Sequence, residues 1–195
     1  FHKKGYQMTK ELLEIERKRQ LTGNIEELIE RLKNIGFGLT SNLREIDTYY
    51  SRPDVDFIQT VECLRIRQRD SFAEVTYKPA TAAATHTENN VIIKPETNLP
   101  IQPEDAATAK QLLANLGMIQ LVEVNKYRRS FQSSDFPQAT VAIDEIKDAG
   151  TFVEVEVLSD DETSALIMIS EIETKLGLES MEIVTRPYRD ICMGY

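Results

Sequence analysis

Tryptophan is missing from these 195 residues, and cysteine, histidine and glycine are scarce at two, two and eight. No apolar run approaches the roughly 20 residues that a membrane-spanning helix needs. Cys63 and Cys192 stand far apart with no Cys-x-x-Cys spacing, which excludes a disulfide framework and a thiolate zinc site and leaves two ordinary reduced thiols. Of the histidines, His2 belongs to an aperiodic opening and His86 to an Ala- and Thr-rich stretch, 79–90, so neither is placed to serve as a general base. The formal charge of −9 argues against a surface that tracks nucleic acid or anionic lipid, and points to small partners. No charged-then-apolar signal segment opens the chain, so cytoplasmic residence is the expectation. Residues 1–7 read as an expression remnant or a frayed arm, and 8–195 as one domain with one core.

What the chain does have is periodicity. Three amphipathic helices are expected. The first runs from an Asn24 cap through Ile25, Leu28, Ile29, Leu32 and Ile35 to Gly36. The second opens at Pro103, carries Ala109, Leu112, Leu113 and Leu116, and stops at Gly117. The third follows Asp160 with Ala165, Met168, Ile169, Ile172 and Leu176, and its apolar face can cover a sheet or meet a second copy of the chain. Gly36-Phe37-Gly38 is a helix stop and turn; no helix starts after it, so it is not a phosphate loop. Extended structure is expected over 11–20, 44–51, 61–70, 72–79, 91–97, 119–131, 138–147, 151–158 and 181–188, which makes a mainly antiparallel sheet protein.

Side chains alternate between faces along a strand, so Glu14, Glu16 and Lys18 share one surface, as do Glu154 and Glu156. Arg65, Arg67 and Arg69 alternate with Leu64, Ile66 and Gln68. Glu74, Thr76 and Lys78 do the same against Ala73, Val75 and Tyr77; Lys126, Arg128 and Asp144 extend the pattern. Any one such strand reads as an ordinary half-solvated one. Three helices, however, need apolar sheet surface to cover, which puts the charged faces inside a closed sheet. Enclosed charge is costly unless paired or occupied by ions. Glu14, Glu16, Asp144, Glu154 and Glu156 suit Mg²⁺ or Mn²⁺, which take oxygen ligands, and the lysines and arginines suit phosphate oxygens. Together they describe a site for a metal-chelated polyphosphate.

The order and spacing of these residues resemble the CYTH, or triphosphate tunnel metalloenzyme, superfamily, which includes class IV adenylyl cyclases and thiamine triphosphatases. Glu14-x-Glu16-x-Lys18 is similar to its amino-terminal signature. Asp47-Thr-Tyr49, Leu64-Arg65-Ile-Arg67, Thr76-Tyr-Lys78, Lys126-Tyr-Arg128, Asp144, Gly150-x-Phe-Val-Glu154-Val-Glu156 and Tyr188-Arg-Asp190 follow in the family's order, so that the resemblance covers nearly all of 11–191. It implies an α+β fold with an eight-stranded antiparallel β-barrel, or tunnel, covered by helices. It implies Glu14, Glu16, Asp144, Glu154 and Glu156 as metal-side acids, and Lys18, Arg65, Arg67, Lys78, Lys94, Lys126 and Arg128 as phosphate grips, with Lys18, Lys78 and Asp144 as catalytic candidates. Pro95 between Lys94 and Glu96 removes a ladder donor, and Pro187 stands where cyclase-like members have serine before Tyr188. The roles of Glu96, Arg186 and Tyr188 stay open, as does a homodimer.

Three functions fit this reading. A cyclase would make cyclic AMP and pyrophosphate from ATP, as the overall layout and the Gly150-x-Phe-Val-Glu block suggest by resemblance. A phosphohydrolase would act on inorganic triphosphate, thiamine triphosphate or nucleoside triphosphates, which the Leu64-Arg-Ile-Arg67 pattern favours. A binder would hold a triphosphate or polyphosphate without turnover. Tyr49 and Tyr50 are expected to pack at a strand end.

Overall fold

The computed structural model describes residues 13–80, 92–93 and 95–195. Residues 1–7, His86 and Lys94, each given a reading above, lie outside them. The described strands are β1 (Leu13–Gln20), β2 (Gly38–Ser51), β3 (Cys63–Arg69), β4 (Phe72–Lys78), β5 (Ile92–Ile93), β6 (Thr97–Ile101), β7 (Ile119–Gln132), β8 (Ala139–Ile146) and β9 (Gly150–Ser159). All pair antiparallel in one sheet ordered β5-β1-β9-β8-β7-β2-β3-β4-β6. The two ends of that order, β5 and β6, are neighbours in sequence, separated by residues 94–96. Four peptide steps span at most about 14 Å, so the two edges must approach and the sheet must curl. Lys78 on β4 reaches Glu14 on β1, 3.8 Å away, across the enclosed space.

Helices α1 (Ile25–Asn34), α2 (Ala106–Asn115), α3 (Glu162–Leu176) and α4 (Tyr188–Met193) accompany the strands. Asn24 caps α1 by accepting the Glu26 amide at 2.8 Å, and Asp161 caps α3 through the amides of Thr163 and Ser164. Gly177 ends α3 at φ +67°, a conformation in which a Cβ is strained. The outer face of β1, β9, β8 and β7 presents Ile15, Val155, Val153, Ile143 and Phe131, on which Leu28 and Leu32 of α1 and Ile169, Ile172 and Leu176 of α3 pack. Each such side chain stabilises the fold by about 1.5–3 kcal/mol relative to exposure. On the other half of the sheet, Tyr50, Ile66 and Ala73 are covered by Ala106, Ala109 and Leu113.

The tunnel is as expected, with the two-residue β5 making a ninth described strand, and four local expectations change. β2 starts at Gly38 instead of 44, because its first residues pair with the far end of β7, Gly38 against Gln132. The extended stretch over 91–97 divides into β5 and β6. The stripe of α2 is Ala106, Ala109 and Leu113; Leu112 and Leu116 point away from the sheet and are exposed. The strand at 181–188 is reduced to one bridge between Ile183 and Arg19, after which Pro187 leads into α4.

One buried ion pair ties a helix to the sheet. Arg19 donates to both carboxylate oxygens of Glu173 at 2.7 and 2.8 Å, and Arg17 donates at 2.9 Å. Glu173 is 2% exposed. Removing the acid leaves buried guanidinium charge uncompensated, so Glu173→Ala is expected to cost about 3–5 kcal/mol in chemical denaturation. A loss under about 1 kcal/mol would show that water reaches these groups.

Candidate active site

The inward positions of the curled sheet carry the charges. Cross-strand register sets Lys18 opposite Glu154 and Glu16 directly opposite Glu156 on β1 and β9, Arg128 opposite Asp144 on β7 and β8, and Asp47 opposite Arg67 on β2 and β3. A cavity of about 220 Å³ lies between the walls. Its lining includes seven acids (Glu14, Glu16, Glu62, Glu74, Glu96, Glu154, Glu156) and seven bases (Lys18, Arg65, Arg67, Lys78, Lys126, Arg128, Arg189). Of the metal, phosphate and catalytic candidates expected from the sequence and described here, all but Asp144 line this cavity.

The bases are held by acids set behind them. Arg67 closes a two-pronged contact on Asp47 at 2.7 Å for each prong, and Lys126 reaches Glu45 at 2.8 Å and Asp47 at 3.6 Å. Burial alone would push these acids up. Lys126, Arg67 and Arg128 win, holding Glu45 down at about 2, and Arg67 and Lys126 hold Asp47 well below its usual range. Burial together with Arg128 and Arg67 lowers Lys126. Lys78 pairs with Glu96 and moves upward despite burial, because Glu16, Glu14 and Glu96 surround it. Arg128 grips Asp144 with two prongs, the one to Oδ1 at 2.6 Å, and also bonds Glu154.

Asp144 departs from its expected place. It is fully buried, both of its oxygens accept from Arg128, and Oδ2 also accepts from the Tyr188 hydroxyl at 2.9 Å. With its lone pairs directed at those donors it props Arg128 and does not line the cavity.

The wall formed by β1 and β9 has the opposite imbalance. Directly opposed like charges on one face destabilise a strand pair, and here Glu16 opposes Glu156 with Glu14 close by. Burial, with Glu14, Glu16 and Glu154 adding to it, pushes Glu156 up to about 8. Burial also raises Glu14 to about 7, with Lys78 opposing and Glu16 and Glu96 assisting, and it raises Glu16 alongside Glu154. Glu154 differs: Arg128, Lys18 and Lys126 overcome burial and hold it at about 2. No three such ligands form a ready cage among the described residues. The donors are nonetheless all oxygen and their negative charge is under-compensated, which fits a hard divalent cation such as Mg²⁺ or Mn²⁺.

Along the inward faces of β2, β7, β8 and β9 the charge gives way to apolar groups two residues on. Asp47 is followed by Tyr49, Asp144 by Ile146, Lys126 is preceded by Val124 and Glu154 by Phe152. These four pack with Val184 and Tyr188, closing one end of the tunnel with the chain that leads into α4. The Lys18 ammonium sits 4.3 Å from the centre of the Tyr188 ring. Sequence reasoning left Tyr188 without a role and missed Glu45, Glu62 and Arg189. Parity along β2 could have found Glu45, which shares a face with Asp47; nothing local marks Arg189.

A helix-covered antiparallel tunnel lined by paired charges, with one acid-rich wall, defines a class of proteins built to hold a multivalent anion together with a metal ion. The chain belongs to the CYTH domain family, whose pattern matches residues 12–188. A Methanocaldococcus jannaschii protein, provisionally named an adenylate cyclase, is 27% identical over 167 residues, 84% of this chain and 90% of that one. Adenylate cyclase CyaB of Aeromonas hydrophila is 32% identical over 93 residues, 45% of this chain and 46% of its own. Among solved structures, the PH1819 protein of Pyrococcus horikoshii superposes with TM-score 0.75 at 25% identity, covering 93% of this chain and 98% of that one. A Hippeastrum protein, provisionally named an adenylyl cyclase and described as having a dominant triphosphatase activity, shares the fold at TM-score 0.67 and 14% identity, covering 93% and 96% of the two chains. Among the described residues no helix is long and apolar enough to cross a membrane.

The acids predict an unusual pH dependence. Glu14 and Glu156 keep their protons in the folded chain up to about 7 and 8, against an ordinary 4.5, so over that window folding takes up protons and stability falls as pH rises. Glu45 and Glu154, held near 2, contribute stability that is complete above 4.5 and lost as pH falls toward 2. In a chelator the protein is therefore expected to be most stable near about pH 5, with Glu156→Gln flattening the alkaline fall and Mg²⁺ raising the denaturation midpoint at pH 8. A metal-free midpoint that climbs steadily from pH 5 to 8 is the contrary result.

Proposed function

We propose that this chain is a divalent-metal-dependent enzyme that takes a triphosphate into its tunnel, and that its reaction is the cyclisation of ATP to cyclic AMP and pyrophosphate. The observation that carries the reading is the direct opposition of Glu16 and Glu156 beside a wall of enclosed bases. An acid cluster short of positive charge next to bases that can turn to phosphate complements a metal-chelated triphosphate. The cyclase names of the relatives favour the reaction.

Glu14, Glu16 and Glu156 are assigned to the metal, with Glu154 at the boundary where Arg128 already takes one oxygen. Bound there, a divalent ion would neutralise phosphate charge and fix the phosphate chain. Lys18, Arg65, Arg67, Lys78, Lys126 and Arg128 are assigned to the phosphate oxygens, and Lys18 and Lys78, flanking the acids, to the reacting end. In the cyclisation the ribose 3′-hydroxyl gives up its proton to solvent as its oxygen bonds to the α-phosphorus, the bond from that phosphorus to the bridging oxygen breaks, and pyrophosphate leaves. Charge gathers on the departing oxygen, where fixed cations stabilise it without reorganising. Asp144 is assigned to positioning Arg128 in place of the metal or catalytic role expected from the sequence.

A second reading, hydrolysis of a triphosphate, is favoured by the lining itself. Fourteen of its twenty residues are acids or bases, and the apolar remainder, Tyr49, Val61, Cys63, Pro187 and Tyr188, includes two rings packed into the closed end. Incubation with ATP and Mn²⁺, and separately with tripolyphosphate, separates the readings by product. Cyclic AMP with pyrophosphate supports cyclisation; ADP, or orthophosphate from tripolyphosphate, supports hydrolysis. Binding without any turnover refutes an enzyme. Glu14→Ala and Glu156→Ala are expected to remove metal-dependent turnover and keep the fold, because each relieves repulsion. Lys18→Ala should lower the rate by about 10²-fold, comparable to losing another preorganised electrostatic contact. A wild-type rate in either acid variant would refute the metal assignment.

A further inference from the structure

α4 sets Arg189 at the closed end of the tunnel, and the guanidinium is engaged on two of its three nitrogens. Nη1 donates to the Glu62 carbonyl at 2.6 Å and Nε to the Asp190 carboxylate at 2.6 Å. Nη2 is buried and has no acceptor among the described residues. The residue is 1% exposed and lines the cavity. A buried donor left without an acceptor is costly in a folded protein, and one that lines a cavity is open to an acceptor atom from a ligand. Arg67 and Arg128 contrast with it: their forks are closed on Asp47 and Asp144.

Two further observations agree. Arg65, which also lines the cavity, has a buried Nε without an acceptor, and the Cys63 thiol lies within the field of Arg65, Lys78 and Arg189 together. The backbone that supplies the Glu62 carbonyl follows Val61, a β-branched residue at φ +56°. Such a conformation is sparsely populated and persists where the surroundings over-determine it. Glu62 is fixed besides by the Tyr77 hydroxyl at 2.6 Å and the Thr60 hydroxyl at 2.9 Å. The segment 61–63 and Asp190 thus hold the guanidinium rigidly, with one nitrogen left over.

We propose that Arg189, together with Arg65, forms an anion subsite at the closed end of the tunnel and contacts an oxygen of the phosphoryl group that reaches it. The proposal rests on the triphosphate reading above and adds a substrate contact from the carboxyl-terminal helix. Both nitrogens are preorganised, so the contact forms without ordering a side chain, and it resembles the charge-assisted bonds that carry phosphate recognition elsewhere.

The test uses hydrolysis-resistant imidotriphosphate with Mg²⁺, followed by calorimetry and by NMR of ¹⁵N-arginine side chains. Gln keeps an amide donor but has neither the charge nor the fork of arginine, and Arg189→Gln is expected to weaken binding at least about ten-fold, the value of one charge-assisted bond. Added guanidinium ion should restore affinity to Arg189→Ala, a rescue that a purely structural arginine would not give. In the wild type, the Arg189 side-chain signal, assigned with Arg189→Lys, should move on saturation, a readout that needs no folded Gln or Ala variant. An Arg189→Gln protein that binds within about two-fold of wild type, or an Arg189 signal that stays put at saturation, overturns the proposal while the triphosphate reading stands. Failure of the wild type to bind both imidotriphosphate and ATP overturns the triphosphate reading, and this proposal falls with it.

Discussion

Opposite charges brought out of water and into one narrow space must either find each other or find an ion, and that requirement organises this protein. Asp47 is its fulcrum. Fully enclosed on β2, it receives both prongs of Arg67 and stands 3.6 Å from Lys126 and 4.0 Å from Arg65, three bases from two neighbouring strands. Glu45 repeats the arrangement two residues earlier, with Lys126 and Arg69. These acids fix where the basic side chains stand before any ligand arrives, which is what preorganised electrostatics demands of a site that acts on phosphate.

The same requirement is left unmet on the facing wall. Burial and mutual repulsion weigh on Glu14, Glu16 and Glu156 more than the nearby bases relieve them, and the folded chain answers by holding protons at a pH where free carboxylates have lost them. A divalent cation would meet the shortfall directly, and a phosphate-bearing substrate would offer the bases on the other side alternative partners. Pairing between charged groups inside the tunnel offsets the cost of enclosing them when no ligand is bound. The closed end supplies the remaining constraint. Tyr188, placed by α4, bonds Asp144, lies beneath Lys18 and seals the enclosure against Phe152 at a ring separation of 5.2 Å.

Much of this was legible before any coordinates. Two-residue alternation put Glu14, Glu16 and Lys18 on one face and Ile15 on the other, and it did the same for Arg65, Arg67, Glu74, Lys78, Lys126 and Arg128. The helices that needed an apolar surface then assigned the charged faces to the inside. The errors have physical causes. The start of β2 reads as a turn by composition and is a strand because β7 is long enough to pair with it. Leu112 and Leu116 satisfy a helical period, yet α2 crosses the sheet with Ala109 and Leu113 inward, an orientation set by what lies beneath. The 181–188 segment has the residues of a strand, but the ladder partner that Arg19 offers extends to a single bridge.

By itself the sequence determined which faces are charged, that the sheet must enclose them, and the chemical kind of ligand such an enclosure would suit, because period-two alternation and donor type are local properties. Tertiary structure alone decided which charges are already spent on one another and which remain for a ligand. Asp144 and Glu154 are both inward acids in strands of similar composition; one is buried behind Arg128 and Tyr188, while the other reaches the cavity. Arg189 is an unremarked residue in a short terminal segment until α4 turns it toward the tunnel. Partners in an electrostatic network are neighbours across strands, and no spacing along the chain encodes the distances that select them.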